Sequence, residues 1–482
     1  MMNMDLSLRK RLVRSVLQLG LVLLIAIGSR GVAADFTAEE LTKRHIERRA
    51  IEAAIWGMSA VNTQLMLQEM LTKTTGKVNQ VVYWGRPLDW HNQTLTPNPD
   101  AIYFMTFFDT KEAGPVVIEV PPGNAEGSLN GNIVTVWQTA LEDVGLLGAD
   151  KGAGGKFVIV PPGYTGKIPK GYNALQSDTF SGYALLRSNL KSHSEPDVAK
   201  SIAYGKRVKV YPLSAAAHPP ETVFTDAKDV EFDSTIRYDL SFFQLLDHVV
   251  QSEPWIERDR AMIDPLRTIG IEKGRPFNPD EKTLEILKGS ILEAKALLAQ
   301  RYDAGFPPFW EGSHWTMPAL SEAIEGQATN YANHDQYTID ARGLTYTYAY
   351  IAIKHLGVGQ FYLISIRDKD GNEFDGSKTY KLTVPANAPI EQYWSVTAYD
   401  RETHALIRNV DRASRSSQIP DFQKNQDGSV TVYFGPAAPA GEEANWVPTD
   451  AKRSFELMFR LYGPKKEFFD KKWQLSDVEE IK

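Results

Sequence analysis

The hydrophobic repeat of this chain alternates between the helical and the strand period, which limits it to a fold with both helical and sheet layers. From Thr37 to about Leu71, Ile51, Ile55, Met58, Leu65 and Met66 recur at helical spacing, and Gly76 ends the run. Thr37 and Glu40 stand at capping-box spacing, with Phe36 and Leu41 placed for a hydrophobic staple. From about Val81 to Val210 the pattern turns to short β-branched and aromatic runs at 80–84, 102–108, 116–120, 133–137 and 157–160. Turn residues bound them, and Pro121-Pro122-Gly123 and Pro161-Pro162-Gly163 follow two similar runs. A helical stretch occupies about 234–300. Within it, Asn278-Pro279-Asp280-Glu281 reads as a helix start with Asn as the cap and Pro in the first turn. Leu284, Leu287, Ile291, Ala294 and Leu298 then mark one buried face, and Pro307-Pro308 closes the segment.

The remainder reads as antiparallel β. Phe361 to Ile366 leads into the turn Asp368-Lys369-Asp370-Gly371, with Thr379 to Val384 as the returning strand. Tyr393 to Tyr399 and Phe455 to Tyr462 alternate strictly, and Trp394, Val396, Ala398, Phe455, Leu457, Phe459 and Leu461 are expected to face inwards. The expected fold is therefore α+β and β-rich. It comprises an N-terminal β module with a leading helix (35–230), a helical segment and connection (231–335), and a C-terminal antiparallel β-sandwich of jelly-roll type (336–482).

Residues 1–34 read as a bacterial secretory signal. Arg9, Lys10, Arg11 and Arg14 precede the apolar run Val16 to Ile27, and Val32-Ala33-Ala34 offers a cleavage site. An uncleaved anchor is the competing reading, supported by Arg30 beside that site. Cleavage removes five basic residues and one acidic residue from 53 and 60, leaving 48 against 59 and a net charge of −11. So acidic a protein has no use for polyanions, and nucleic acid is not an expected partner. A periplasmic or secreted location without stable membrane insertion follows from the cleaved signal. The chain has no cysteine, which excludes disulfides, zinc–thiolate sites, iron–sulfur clusters and thiol nucleophiles.

Several ordered motifs carry a family resemblance. Asn98-Pro99-Asp100-Ala101-Ile102-Tyr103, followed by Gly114-Pro115-Val116-Val117-Ile118-Glu119-Val120-Pro121, resembles domain of unknown function 1254. Tyr393 to Asp400, Asp427 to Tyr433, Asn445-Trp446-Val447-Pro448 and Phe459 to Pro464 resemble its usual C-terminal companion, domain of unknown function 1214. The family pattern commonly has Thr where this chain has Ala101. The resemblance implies an exported bacterial two-module protein and supplies no reaction.

Chemistry is sparse. The nine histidines form no His-x-His or His-Glu-x-x-His pair, and no nucleophile elbow, phosphate loop or dinucleotide fingerprint is present. No cofactor and no metal are expected, although a metal site assembled from distant residues stays open. The densest polar cluster beside a strand is Asn98, Asp100 and Tyr103, with His91 seven residues upstream of Asn98. Asp100 is the candidate base or ligand anchor and Tyr103 the candidate proton donor; turn-building by Asn98 and Asp100 is the competing role. Glu119, Glu142, Asp143 and Asp400 are further carboxylates that could complete an acid–base pair. In the second module, Tyr399, Arg460 and Tyr462 fall on polar strand faces, and Asn445-Trp446 lies on a loop; together they suit a polar, ring-bearing ligand. The expected function is binding or processing of a carbohydrate-like small molecule or envelope polymer. A non-catalytic assembly role is the alternative, and homo-oligomerisation is expected.

Overall fold

The Thr37 hydroxyl accepts a hydrogen bond from the Glu40 N–H at 3.1 Å and opens the helix Ala38–Lys73. The computed structural model describes residues 36–146, 148–356 and 359–481, so the expected signal at 1–34 lies outside the described residues. The anticipated staple does not form: Phe36 and Leu41 are both exposed. Phe36 instead stacks under the Arg44 guanidinium at 4.5 Å, and Glu40 turns to pair with Arg44 at 2.6 Å. From Ala50 to Met66 the helix is almost wholly buried, because Leu240–Ser252, Glu281–Asp303 and Ile339–Tyr348 pack around it. Asp280 is the cap of the helix Glu281–Asp303, accepting from the Thr283 N–H at 2.7 Å. Asn278 lies too far upstream for that bond, so Pro279 precedes the cap instead of occupying the first turn.

These helices cover one face of a six-stranded sheet. Its order is Phe224–Asp226, Val81–Tyr83, Ala101–Asp109, Ser181–Asn189, Leu129–Thr135 and Ala140–Gly145, antiparallel except for the first pair. Strand alternation divides the side chains. Ala101, Tyr103, Met105 and Phe107 face the helices, whereas Ile102, Phe104 and Phe108 face a second sheet. That four-stranded sheet runs Lys209–Pro212, Val116–Val120, Gly155–Val160 and Asn173–Gln176, and the two Pro-Pro-Gly segments follow its central antiparallel pair.

The C-terminal module is a sandwich of two four-stranded sheets. One holds Gln360–Ser365, Phe455–Pro464, Ile390–Asp400 and Ser414–Ser416, antiparallel throughout. The other holds Trp446–Pro448, Val430–Gly435, Thr379–Val384 and Glu479–Ile481, with one parallel pair between Trp446–Pro448 and its neighbour. The expected hairpin between 361–366 and 379–384 does not form, because the two strands belong to opposite sheets. Phe361 and Leu363 reach the shared core from one side, Tyr380 and Leu382 from the other, and Phe374 fills the crossing between them. The expected inward residues Trp394, Val396, Ala398, Phe455, Leu457, Phe459 and Leu461 all lie in this core. Trp310 and Trp315, from the segment between the modules, are buried there too. Among the described residues, no helix is long and apolar enough to cross a membrane.

A candidate ligand site between the two modules

Residues 92–100 are buried throughout, and a buried loop must find partners for its backbone polar groups. It finds several of them on the outer face of the sandwich and one on Tyr103 of the N-terminal sheet. The Tyr399 hydroxyl donates to the Pro97 carbonyl at 2.6 Å, and Arg460 Nη2 donates to the Thr96 carbonyl at 2.8 Å. The Asn98 side-chain amide donates to the Tyr462 hydroxyl at 2.7 Å, while the Asn98 backbone N–H donates to the Tyr103 hydroxyl at 2.8 Å. Asn98 Oδ1 also accepts from the Asp100 N–H at 3.0 Å, a side-chain-to-backbone turn. One short loop thus builds its own turn and joins the two modules. Asn98, Tyr103, Tyr399, Arg460 and Tyr462 come together at this seam, although Asn98 and Tyr462 are 364 positions apart in the chain.

Asp100 is also at this seam, on the Ser414 side, and the remaining candidates lie elsewhere. Asp100 is fully buried, with Oδ1 accepting from the Ser414 hydroxyl at 3.1 Å and lying 3.1 Å from His193 Nε2; Oδ2 has no partner. It does not line the seam cavity described below. His91 is held by Asp89 at 2.8 Å and stacks on Trp90. Asn445 staples a turn through the Gln423 and Thr431 carbonyls, and the Trp446 indole N–H donates to the Gly435 carbonyl within the sandwich. Among the described residues, no group of three or more His, Asp or Glu is placed to hold a metal ion.

Beside the seam lies a cavity of about 140 Å³. Tyr103 and Arg187 come from the N-terminal sheet, and Tyr362, Met458 and Arg460 from the sandwich. Helix Ile339–Tyr348 and the segment after it add Arg342, Tyr346, Tyr350 and Ile351, and the helix Ser321–Thr329 adds Ala323, Ile324 and Gln327. Most of this wall is apolar. Three arginines line it, and the described lining residues include no Asp, Glu or His.

The arginines are bound in an unusual way. Arg187 is 3% exposed; Nη1 donates to Asn132 Oδ1 at 3.1 Å, and Nε has no partner. Arg460 is 1% exposed; it donates to the Thr397 hydroxyl at 3.0 Å, the Tyr399 hydroxyl at 2.6 Å and the Thr96 carbonyl, and its Nε is also unpartnered. Neither forms an ion pair among the described residues, where every recorded acceptor is neutral. Arg342 differs. It donates to the Tyr337 hydroxyl at 2.8 Å, which donates in turn to Asp259 at 2.5 Å, so a carboxylate stands close by. Tyrosines do not supply the missing charge. Burial pushes the Tyr393, Tyr399 and Tyr462 hydroxyls well above their ordinary range, leaving them neutral phenols at neutral pH.

Arg187 and Arg342 were absent from the sequence candidates. Arg187 sits opposite Tyr103 in the strand register, on the helix-facing side that Tyr183 and Leu185 also occupy. The available signal was a lone Arg in the run Tyr183-Ala184-Leu185-Leu186, where a core strand would place an apolar residue.

Two family profiles match the chain, each described as a protein of unknown function: DUF1254 over residues 78–212 and DUF1214 over residues 359–466. The chain carries both modules, in that order. In this DUF1254–DUF1214 protein the first matched segment carries Tyr103 and Arg187 and the second carries Tyr362 and Arg460, while Arg342 and the cavity's helical roof lie between them. The fold is similar to that of the VPA0106 protein from Vibrio parahaemolyticus, with a TM-score of 0.56 and 16% identity over 91% of this chain and 100% of that one. An uncharacterized protein from Burkholderia cenocepacia aligns with a TM-score of 0.40 and 12% identity over 94% of this chain and 92% of that one. No curated protein matches the chain.

Proposed function

We propose that this protein binds a small organic molecule at the seam between its two modules, and that it acts as a binding protein in preference to an acid–base enzyme. The observation that carries this reading is the cavity of about 140 Å³, walled by both modules and by the intervening helices. A mostly apolar pocket with a few convergent polar groups is the usual form of a small-molecule site. Unpaired polar atoms support the same reading. The side-chain oxygens of Gln327 and Gln360 and the Nε atoms of Arg187 and Arg460 are buried without partners, which costs free energy unless a ligand or water satisfies them. The apolar lining favours an amphipathic molecule over a sugar. Tyr103 is at the cavity but its hydroxyl accepts the Asn98 N–H, and Asp100 is turned away towards Ser414, an arrangement that favours binding over the carboxylate–tyrosine catalysis expected from the sequence.

Export through the signal at 1–34 belongs to the same proposal and rests on that segment's charge and hydropathy pattern. N-terminal sequencing of the protein from a periplasmic fraction tests it, with Asp35 as the expected first residue.

A thermal-shift screen of small amphipathic molecules tests the binding site, comparing the native protein with Ala352→Phe, which enlarges a side chain that lines the cavity. A ligand at a hundred times its dissociation constant should stabilise the native protein by about 2.7 kcal/mol. Filling the cavity should abolish that gain without lowering the melting temperature of the free protein. Equal stabilisation of both proteins would place the ligand elsewhere.

A further inference from the structure

Arg187 and Arg460 narrow the ligand class. Burying an ion is expensive, and a buried guanidinium is normally repaid by a carboxylate and a full set of hydrogen bonds. Here two such groups, from different modules, border one cavity with neither matched by an ion pair. The nearest charge relay to Arg187 runs through Asn132, whose amide donates to Asp143 at 2.7 Å. That carboxylate is already engaged by the backbone N–H groups of Lys354 and His355. Arg460 is surrounded by carbonyl and hydroxyl oxygens and lies over the Tyr362 and Tyr399 rings at 5.2 and 5.6 Å. Both guanidiniums therefore keep their charge and part of their donor capacity unsatisfied.

We infer that the seam ligand is a small organic carboxylate, held by Arg187 and Arg460, with an apolar body in the cavity formed by residues such as Ile324, Ile351 and Met458. This inference rests on the seam-binding reading above and adds the sign of the ligand's charge and the character of its tail. The guanidinium fork matches a carboxylate's two oxygens, and such charge-assisted bonds are roughly twice as strong as neutral ones. The volume sets the size of the body: an engineered cavity of about 150 Å³ holds benzene, so a benzoate-like or short aliphatic acid fits about 140 Å³. An inorganic oxyanion would satisfy the arginines and leave the apolar wall empty.

Matched pairs decide it. Binding of benzoate against benzamide, and of hexanoate against hexanamide, is measured by calorimetry on the full-length mature protein, with inorganic phosphate and sulfate as further probes. The acids should bind at least tenfold more tightly than their amides and than either inorganic ion. Arg187→Met should remove the acid preference and melt no lower than the native protein without ligand. Arg187→Lys, which keeps the charge and loses the fork, should weaken the acids while preserving their advantage. Amides binding as tightly as acids would overturn the carboxylate inference and leave the seam site standing. Inorganic ions matching the organic acids would overturn the apolar-tail assignment. If acids bind equally well to Ala352→Phe and to native protein, the seam reading itself fails.

Discussion

At Asp400 and at Arg187 the chain meets the same problem, a charge held away from water, with opposite solutions. Asp400 accepts from the guanidinium of Arg453, with Nη2 at 2.8 Å, and from the N–H groups of Glu402 and Thr403, each at 3.0 Å. Burial pushes its carboxyl up, but Arg453 and the two N–H groups outweigh that and hold it below its ordinary value of 3.8. A depressed carboxyl contributes stability that is complete above its unfolded pKa and is lost as pH falls through the folded one. Asp400→Asn should therefore cost about 1.5–3 kcal/mol at neutral pH, the scale of hydrogen bonds to a charged group. Urea titrations should show that gap closing as pH drops below 3.8; a pH-independent gap would assign the loss to packing. This Asp was one of several carboxylates that sequence alone could equally have assigned to catalysis, and its neighbours make it a turn staple. Arg187 has no such set of partners, and its guanidinium does not titrate at all near neutrality. Asp100, Tyr103 and Asn98 were legible as a cluster because they are adjacent in the chain. Which way Asp100 points was not, since Ser414 and His193 are brought to it only by the fold.

Strands with strong alternation were legible at the level of elements: Thr379–Val384 and the inward faces of Ile390–Asp400 and Phe455–Pro464 follow the sequence pattern directly. Ser181–Asn189 was missed despite its central place in the six-stranded sheet, because Ser, Gly, Arg and Asn interrupt its apolar signal. The pairing of Gln360–Ser365 was misread for another reason. A turn sequence tells where a chain bends, whereas the partner strand is chosen by which core its side chains share. Helix packing carries a sharper test. Gly to Ala in a helix interior ordinarily stabilises by up to about 1 kcal/mol, and Gly289 in Glu281–Asp303 has open space around it. Gly289→Ala should raise the melting temperature. Gly343 lies in Ile339–Tyr348, where an added Cβ would stand 2.6 Å from the Ile55 carbonyl oxygen of the first helix. Gly343→Ala should instead destabilise by about 1–3 kcal/mol, the usual range for overpacking. Because Arg342 and Tyr346 are on the same helix, it should also weaken ligand binding. Stabilisation by both substitutions would show that the two helices can separate without strain.

For the whole molecule, the two β modules were legible and their joint was not. The chain order separates them by a helical segment, yet one hydrophobic core includes Trp56 and Met105 from the first part together with Leu406 and Met458 from the last. A single calorimetric transition is expected, with the calorimetric and van't Hoff enthalpies in agreement; two resolved transitions would mean that the sandwich folds independently. The loop at 92–100 adds a constraint on timing. Its Thr96 carbonyl is met by Arg460, 364 positions later. During synthesis the first module must wait for almost the entire polypeptide to emerge before this loop can settle, and contacts of such sequence separation form slowly. Any product truncated before Phe455 would leave the Thr96 carbonyl without its Arg460 donor and Asn98 without Tyr462, so a stalled or clipped chain is a substrate for quality control from the outset.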